Sequence, residues 1–220
     1  MIDVVLGSVF GGRLNLFGDQ GNLLALKRFI ESQGLTVSIV PVHSTEEALA
    51  CNFVLVGHGS IAAMASIREG LNQIDWRAVL TEVPTLAVGS GLELLAKKYF
   101  PASHEWATKD RESEFHVADF KGETEFKVLG YRNTDSNFEG TRLLVNEQAR
   151  IGIYGSMQHG PVLAKNPRLL QLLAEATLRS ARKTGVKTHE HLAWVALLND
   201  VARRIWELEA PNEVFPELAI

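Results

Sequence analysis

The chain contains the sequence Val83-Pro84-Thr85-Leu86-Ala87-Val88-Gly89-Ser90-Gly91-Leu92-Glu93-Leu94-Leu95-Ala96-Lys97-Lys98, which predicts a strand, a tight turn and a helix in succession. Pro84 begins the strand, where a missing backbone N–H costs least, and the apolar run that follows is typical of a central parallel strand. Gly89, Ser90 and Gly91 then give the backbone the freedom for a sharp corner. The next helix directs its N-terminal amides and the positive end of its dipole at that corner. The sequence therefore predicts the strand–turn–helix geometry of a nucleophile elbow.

Before this corner, strand and helix patterns alternate along the chain. Apolar runs predict strands at residues 2–6, 36–40 and 52–56, and helical spacing predicts helices at 23–30, 46–50 and 61–80. Asp19 or Asn22 is expected to cap the first helix, and the helix at 61–80 is expected to divide around Gly70. This alternation predicts an α/β fold, with a doubly wound, mainly parallel sheet flanked by helices.

After residue 100 the pattern changes to the alternation of an antiparallel hairpin. Strands are predicted at 115–120, 125–130, 143–145 and 151–155, and helices from Pro167 to Leu178 and from Thr188 to Leu208. We therefore expect a small antiparallel addition and a C-terminal helix that packs on the fold rather than mediating association. Residues 1–183 are predicted to form the main domain and residues 184–220 a helical extension packed on it.

Composition narrows the range of partners. The 220 residues are 46% hydrophobic and 22% charged, enough to bury one sizeable core. The net charge of −4 is interspersed and gives no electrostatic footprint for nucleic acid or an anionic membrane, so partners are expected to be proteins or small molecules. No apolar run approaches the roughly 18 residues that span a bilayer, and no leader pattern is present. A cytoplasmic location is expected.

Cysteine and histidine usage gives no sign of a metal site. Cys51 is the only cysteine, so an intramolecular disulfide is impossible; it precedes an apolar run and is predicted to be a buried structural thiol. The pattern His189-Glu190-His191 is predicted to form a solvated helix face, because adjacent helical residues diverge. The other histidines considered as ligands lack metal-ligand spacing: His43, His58, His104 and His116.

The corner resembles the class I glutamine amidotransferase signature Gly-x-Cys-x-Gly-x-Gln-Leu-Leu. Gly91 matches the second glycine, and the leucine pair follows at the same spacing. Gly89 stands where the family carries its nucleophilic cysteine, and Glu93 stands where it carries glutamine. Ser90 places a hydroxyl one residue later.

Two further runs extend the resemblance. Tyr154-Gly155-Ser156-Met157-Gln158-His159-Gly160-Pro161-Val162-Leu163-Ala164-Lys165-Asn166-Pro167 is similar to the CobB/CobQ-type run that contains the catalytic histidine. Leu14-Asn15-Leu16-Phe17-Gly18-Asp19-Gln20-Gly21-Asn22 resembles a run near the start of the glutaminase subunits of lipid II isoglutaminyl synthases. The three runs occur in the family's order and cover roughly residues 1–178.

In that family a cysteine thiolate attacks the glutamine amide carbon, histidine shuttles the proton, and backbone amides hold the oxyanion. The resemblance implies that His159 is the base and that Gly57-His58-Gly59 is the oxyanion loop. His58 replaces a usual glycine there and is expected to crowd the pocket. The resemblance also implies that an acidic group orienting His159 comes from a partner subunit. With Gly89 at the nucleophile position, ordinary thioester chemistry has no attacking atom.

Several interpretations remain open at this stage. His159 is either the base or a structural histidine, and Ser90 is either a substitute nucleophile or a helix cap. The resemblance implies a homologue of the subunit that supplies ammonia to a Mur-ligase-like ATP-dependent synthetase in cell-wall precursor amidation, without glutaminase activity of its own. The alternatives are a non-catalytic ligand-binding or regulatory partner of a synthetase, with glutamine or a similar molecule as ligand, and a hydrolase that uses Ser90. No cofactor or metal is implied.

The resemblance also makes a geometric prediction. Gly57, Gly89 and His159 are each expected to follow a strand of the same sheet, and the predicted substrate-binding residues are Gly57, His58, Gly59 and Gly91. Because the carboxyl ends of neighbouring parallel strands meet at one edge, these residues are expected to line one substrate pocket.

Overall fold

The computed structural model describes residues 2–99, 108–120, 125–136, 142–146 and 151–218. The strands are β1 Val4–Val9, β2 Val37–Val42, β3 Phe53–Val56, β4 Thr85–Val88, β5 Thr108–Phe120, β6 Phe126–Ser136, β7 Arg142–Asn146, β8 Ile151–Ser156 and β9 Gln158–His159. The helices are α1 Gly21–Glu31, α2 Thr45–Leu49, α3 Ile61–Gln73, α4 Trp76–Glu82, α5 Ser90–Tyr99, α6 Val162–Lys165, α7 Pro167–Ala181 and α8 His189–Glu209.

The central sheet confirms the predicted α/β fold. Its strand order is β2-β1-β3-β4-β8-β7, in which the first five strands are parallel and β7 is an antiparallel edge. Val56 of β3 pairs with Ala87 of β4, and Val88 of β4 pairs with Ser156 of β8. The carboxyl ends of β3, β4 and β8 therefore lie side by side.

The core lies on both faces of this sheet. Leu55 and Leu86 point to the side covered by α1 and α7, whereas Val54 and Ala87 point to the side covered by α3 and α4. All four residues are fully or almost fully buried. Burial on both faces explains why β3 and β4 read as continuous apolar runs rather than as alternating ones.

The predicted antiparallel addition is a second sheet of order β5-β6-β9. Phe120 pairs with Phe126 at the closed end of the β5–β6 hairpin, and both strands extend beyond the predicted segments. At the other edge, Tyr131 of β6 pairs with His159 of β9. The hairpin is thereby fixed against the segment that carries the predicted catalytic histidine.

Residues 61–80 form two helices, as predicted, but the break lies at Ile74 and Asp75 rather than around Gly70. α3 continues through Gly70 to Gln73, and α4 begins after Asp75, whose side chain accepts a hydrogen bond from Ala78 N at 3.1 Å. Gly70 has a packing role instead, because a Cβ atom there would lie 2.6 Å from Cζ of Phe10. The absent side chain makes room for an aromatic ring.

The predicted cap of α1 is also wrong. Gln20 is the N-cap residue and makes no side-chain capping bond, while Asn22 lies inside the first turn. Both Asp19 and Asn22 are completely buried and bind other segments of the chain, as described below. Their polar side chains serve tertiary contacts rather than the local helix end.

The C-terminal helix packs on the fold as predicted. Thr188 caps α8 by accepting a hydrogen bond from His191 N at 2.9 Å. Trp206 is buried, and its Nε1 donates to Lys165 O at 3.0 Å. The prediction of a solvated face is wrong for His191, which is buried with its Nδ1 2.8 Å from the Ser32 hydroxyl. The division between residues 183 and 184 stays a prediction.

Cys51 is buried, as expected of a structural thiol, and its Sγ donates to Glu47 O. Burial, with a smaller contribution from the charge of Glu47, raises the pKa of this thiol to about 11.

In the part of the chain that the structure describes, no three histidine, cysteine or acidic side chains gather as metal ligands. His104 lies outside the described residues. No described helix is long and apolar enough to span a bilayer.

Candidate functional site

A cleft of about 760 Å³ opens at the carboxyl ends of β3, β4 and β8; we call it the elbow cleft. The loop after β3 contributes His58 and Gly59, the corner after β4 contributes Gly89 and Ser90, and β9 contributes His159. The structure thus brings together sequence-predicted residues that are up to about a hundred positions apart. Further lining comes from Leu16, Ile61, Met64, Arg68, Glu93, Lys97, Arg111, Asn133 and Asp135.

Gly89 forms a sharp corner between β4 and α5. Its φ angle is 52°, in the left-handed region that favours glycine. Its N–H donates to Ser156 O at 2.9 Å, and its carbonyl accepts the Glu93 N–H at 2.9 Å, the first turn of α5. The corner therefore has the backbone form expected of a nucleophile elbow, without a side chain at its apex.

Two histidine rings occupy the space in front of Gly89. A Cβ atom at this position would lie 2.5 Å from His58 Nδ1, 2.5 Å from His159 Cε1 and 2.8 Å from His159 Nδ1. The ring centroids of the two histidines are 4.3 Å apart. A side chain at residue 89 would thus collide with both rings unless they moved.

The backbone amides around the corner are bonded to side chains of the same site. Ser90 N–H donates to His58 Nδ1 at 3.1 Å, and Gly59 N–H donates to Ser90 Oγ at 3.0 Å. His58 N–H donates to Asp19 Oδ2 at 3.2 Å. Donors that would stabilise an oxyanion in an amidotransferase are therefore already satisfied.

Ser90 is tied to the neighbouring loop rather than to its own helix. Besides accepting the Gly59 N–H, its hydroxyl donates to Gly59 O at 3.2 Å. Within the described residues, its Oγ bonds only these main-chain atoms. These contacts are not those of a helix N-cap. Neither of them places a base beside the hydroxyl.

His159 is held in one orientation by the hairpin. Its Nε2 lies 3.3 Å from Asn133 O, which places the proton on Nε2 and leaves Nδ1 as an acceptor facing the corner. Nδ1 is buried and has no hydrogen-bond partner among the described residues. A main-chain carbonyl of β6 thus occupies the place where the resemblance led us to expect an acidic group.

Both imidazoles are held in their neutral form. Burial lowers the pKa of His159 to about 4, with the neighbouring His58 as the next cause and Arg111 and Arg132 as smaller ones; the bond to Asn133 O opposes the shift. Burial, followed by the charge of Arg111, also lowers the pKa of His58. Two neutral rings can share this small space without charge repulsion.

Phe17 completes the aromatic cluster. Its ring stacks on His159 at 4.9 Å and lies 5.4 Å from His58, measured between ring centroids. It comes from the loop before α1, one of the runs that carry the family resemblance, but the sequence alone assigned it no role. Phe17 thereby limits the rotation of both histidines.

The glycines beside the corner allow neighbouring backbone segments to approach closely. A Cβ atom at Gly57 would lie 2.2 Å from Leu14 O, and one at Gly91 would lie 2.6 Å from Val56 O. Neither residue lines the elbow cleft, whereas Gly59 does. Gly57 and Gly91, predicted to bind substrate, lie behind the corner and permit its close packing.

Asp19 is the site residue whose role the sequence did not reveal. It is completely buried, and its carboxylate accepts the His58 N–H at one oxygen and the Gly160 N–H, at 3.1 Å, at the other. Asn22 continues this network by donating to Gly160 O and accepting from Leu163 N. Burial raises the pKa of Asp19 to about 6, although the backbone hydrogen bonds lower it. These two side chains hold the loops of His58 and His159 together.

No protein-family model matches the chain. Two similar curated proteins are both named lipid II isoglutaminyl synthase (glutamine-hydrolyzing) subunit GatD. The protein from Streptococcus pneumoniae (strain ATCC BAA-255 / R6) is 24% identical over 210 residues, covering 79% of this chain and 80% of that protein. The protein from Staphylococcus aureus (strain N315) is 27% identical over 104 residues, covering 45% of this chain and 43% of that protein.

Two solved structures, both from Thermotoga maritima, were also compared. A glutamine amidotransferase has a TM-score of 0.44 and 16% identity, covering 82% of this chain and 97% of that one. The PurLQS structure has a TM-score of 0.41 and 12% identity, covering 81% of this chain and 97% of that one. With its elbow corner, parallel sheet and GatD relatives, the chain is a glutamine amidotransferase-like protein and a homologue of the GatD subunits.

Proposed function

We propose that the chain is a GatD-like subunit that has no glutaminase activity of its own. The observation that carries this proposal is the occupation of the elbow. Gly89 has no attacking atom, and its Cβ position lies 2.5 Å from atoms of both His58 and His159. Covalent catalysis needs a nucleophile at this apex with a base beside it. Here His159 stands at the position of the base, but residue 89 has no side chain to act as the nucleophile.

The hydrogen bonds around the corner support the same proposal. Oxyanion stabilisation requires donors that are free to meet the developing charge. Ser90 N–H is bonded to His58, and Gly59 N–H is bonded to the Ser90 hydroxyl. A substrate oxygen would have to displace both side chains before it reached these amides.

We further propose that the chain works beside a Mur-ligase-like ATP-dependent synthetase in cell-wall precursor amidation. The relatives are named as subunits of a synthase, which supports a partner of this kind. At the rim of the elbow cleft, Leu16 is 54% exposed and Ile61 is 92% exposed. Exposed apolar side chains around a cleft are typical of a protein interface. In this role the cleft binds glutamine or a similar small molecule without hydrolysing it.

The alternative of a serine hydrolase is less well supported. Ser90 Oγ bonds the main chain of Gly59, while His159 Nδ1 points at the residue 89 corner. No histidine nitrogen is bonded to this hydroxyl among the described residues. Activation of a serine requires such a base within hydrogen-bond reach.

Ammonia release from glutamine tests the proposal. The purified full chain and Ser90→Ala should both show only background release, as should a matched Ser180→Ala control. Turnover by the wild-type protein that is lost in Ser90→Ala and retained in Ser180→Ala would overturn the proposal and identify Ser90 as the nucleophile.

A further inference from the structure

A second cleft, of about 600 Å³, lies away from the elbow. We call it the β1–β2 cleft; it is lined by Phe10, Gly12, Arg13, His43, Ser66 and Ile67. It opens where β1 and β2 end, at Val9 and Val42. Ligands of open α/β sheets bind outside the carboxyl ends of the strands, which is the edge of the sheet where this cleft lies.

The backbone of this cleft is held in a strained form. Phe10 has a φ angle of 44°, which is unusual for a residue with a side chain. Its carbonyl accepts hydrogen bonds from the N–H groups of Arg13 and Leu14, at 2.7 and 3.0 Å. Its ring lies over Gly70 and meets His43 edge-on at 5.0 Å between centroids. The resulting turn presents Gly12 and Arg13 to the cleft.

The polar groups of the cleft favour an anion. Arg13 is exposed, and the described residues provide neither an ion-pair nor a hydrogen-bond partner for its guanidinium. They also provide no acceptor for Gly12 N–H. The Glu47 carboxylate accepts the His43 backbone N–H at 2.6 Å and lies 3.8 Å from His43 Nδ1. A cation and a backbone donor therefore remain available on one wall.

The remaining lining suits a ligand with a less polar body. Ile67 is buried and lines the cleft together with Phe10. A volume of about 600 Å³ lies within the range of small-molecule sites and is far more than one oxyanion requires. We propose that the β1–β2 cleft binds a phosphorylated small molecule, with its phosphate on Arg13 and Gly12 N–H and its body against Phe10 and Ile67. A guanidinium can meet a phosphate with two parallel hydrogen bonds.

Titration of the full chain, followed by amide NMR, tests this inference with two probes, inorganic phosphate and adenosine monophosphate. We expect saturable chemical-shift changes at Gly12, Arg13 and His43. The nucleotide should bind more tightly than phosphate, because its nucleoside can also contact Phe10 and Ile67. Arg13→Ala should weaken nucleotide binding by roughly tenfold or more, since a charge-assisted contact is lost. Arg77→Ala removes an exposed arginine from α4 and should leave the affinity unchanged.

Several results would overturn the inference: shifts that do not saturate, equal binding by Arg13→Ala and wild type, or shifts centred on Arg111 and His159 instead. If phosphate binds saturably and the nucleotide binds no more tightly, the cleft is a simple anion site and the proposed phosphorylated small molecule is rejected. Shifts at Arg111 and His159 would report binding in the elbow cleft, but none of these outcomes measures glutamine hydrolysis, so the proposed function is tested separately.

Discussion

Residue 89 combines two conditions that disfavour any side chain. Its positive φ angle strains residues other than glycine, and two imidazoles stand where a Cβ atom would lie. In a nucleophile elbow the first condition is tolerated because the strained turn displays the nucleophile. Here the second condition is added by the rings of His58 and His159. The two rings therefore occupy the space that a nucleophilic side chain at residue 89 would need.

His159 makes stability depend on pH. Its pKa of about 4 in the folded protein lies below the ordinary value of 6.5, so the unfolded chain binds more protons between these values. Its contribution to stability is fully present above about pH 6.5 and is lost as the pH falls towards 4. The shift corresponds to roughly 3 kcal/mol.

Chemical unfolding of wild type and His159→Gln across this pH range measures the effect. Asp19, whose pKa is raised to about 6, contributes a slope of the opposite sign, but both proteins retain it. We expect the wild type to lose more stability than the variant on acidification. Parallel pH profiles for the two proteins would show that His159 is not held neutral in the folded state.

At the scale of single elements, α3 shows how tertiary contacts govern a helix. Replacing a mid-helix glycine by alanine usually stabilises by about 1 kcal/mol. At Gly70 the added Cβ atom would lie 2.6 Å from the Phe10 ring, which cannot retreat freely because it also meets His43. Gly70→Ala is therefore expected to destabilise by roughly 1–3 kcal/mol.

A double-mutant cycle checks this expectation by urea denaturation. In a Phe10→Ala background, Gly70→Ala should recover its ordinary stabilising effect, because the obstructing ring is gone. Additive effects of the two substitutions, or a gain in stability from Gly70→Ala alone, would contradict the contact.

The same helix shows what periodicity can predict. The order of strands and helices, the parallel sheet and the elbow corner follow from local patterns of apolar residues and glycines. The end of α3 does not, because it is set by Asp75 capping α4, while Gly70 accommodates a ring from the end of β1. In the same way, the family resemblance identified Gly89 and His159 as site residues. It could not predict the hydrogen bond from Ser90 N–H to His58, because the orientation of the His58 side chain is set only when the loops assemble.

At the scale of the whole molecule, the elbow cleft is both open and apolar at its rim. Leu16 and Ile61 each expose more than half of their surface, and neither has a role in the core. Affinity purification of the full chain from its native host should recover a Mur-ligase-like ATP-dependent ligase. Replacing both residues by aspartate should abolish this recovery, while the matched change of Leu208, exposed at the far end of α8, should not.

Recovery that is equal for the wild-type protein and the rim variant would place the partner elsewhere on the surface. Recovery of this chain alone, with no ligase, would favour a free-standing binding protein instead. Circular dichroism of each variant shows whether the fold is retained.

The central claim is that the His58 and His159 rings fill the elbow in front of residue 89, and alkylation of an introduced cysteine tests it most directly. Cys51 is buried with a raised pKa and gives a low background. With a glutamine-analogue alkylator, Gly89→Cys should label no faster than the wild type. Gly89→Cys combined with His58→Gly should label rapidly, because the space left by His58 lets the His159 ring move away from the residue 89 Cβ position and because the Ser90 N–H is released. Equal rapid labelling of both variants, or an unreactive double variant, would contradict the account.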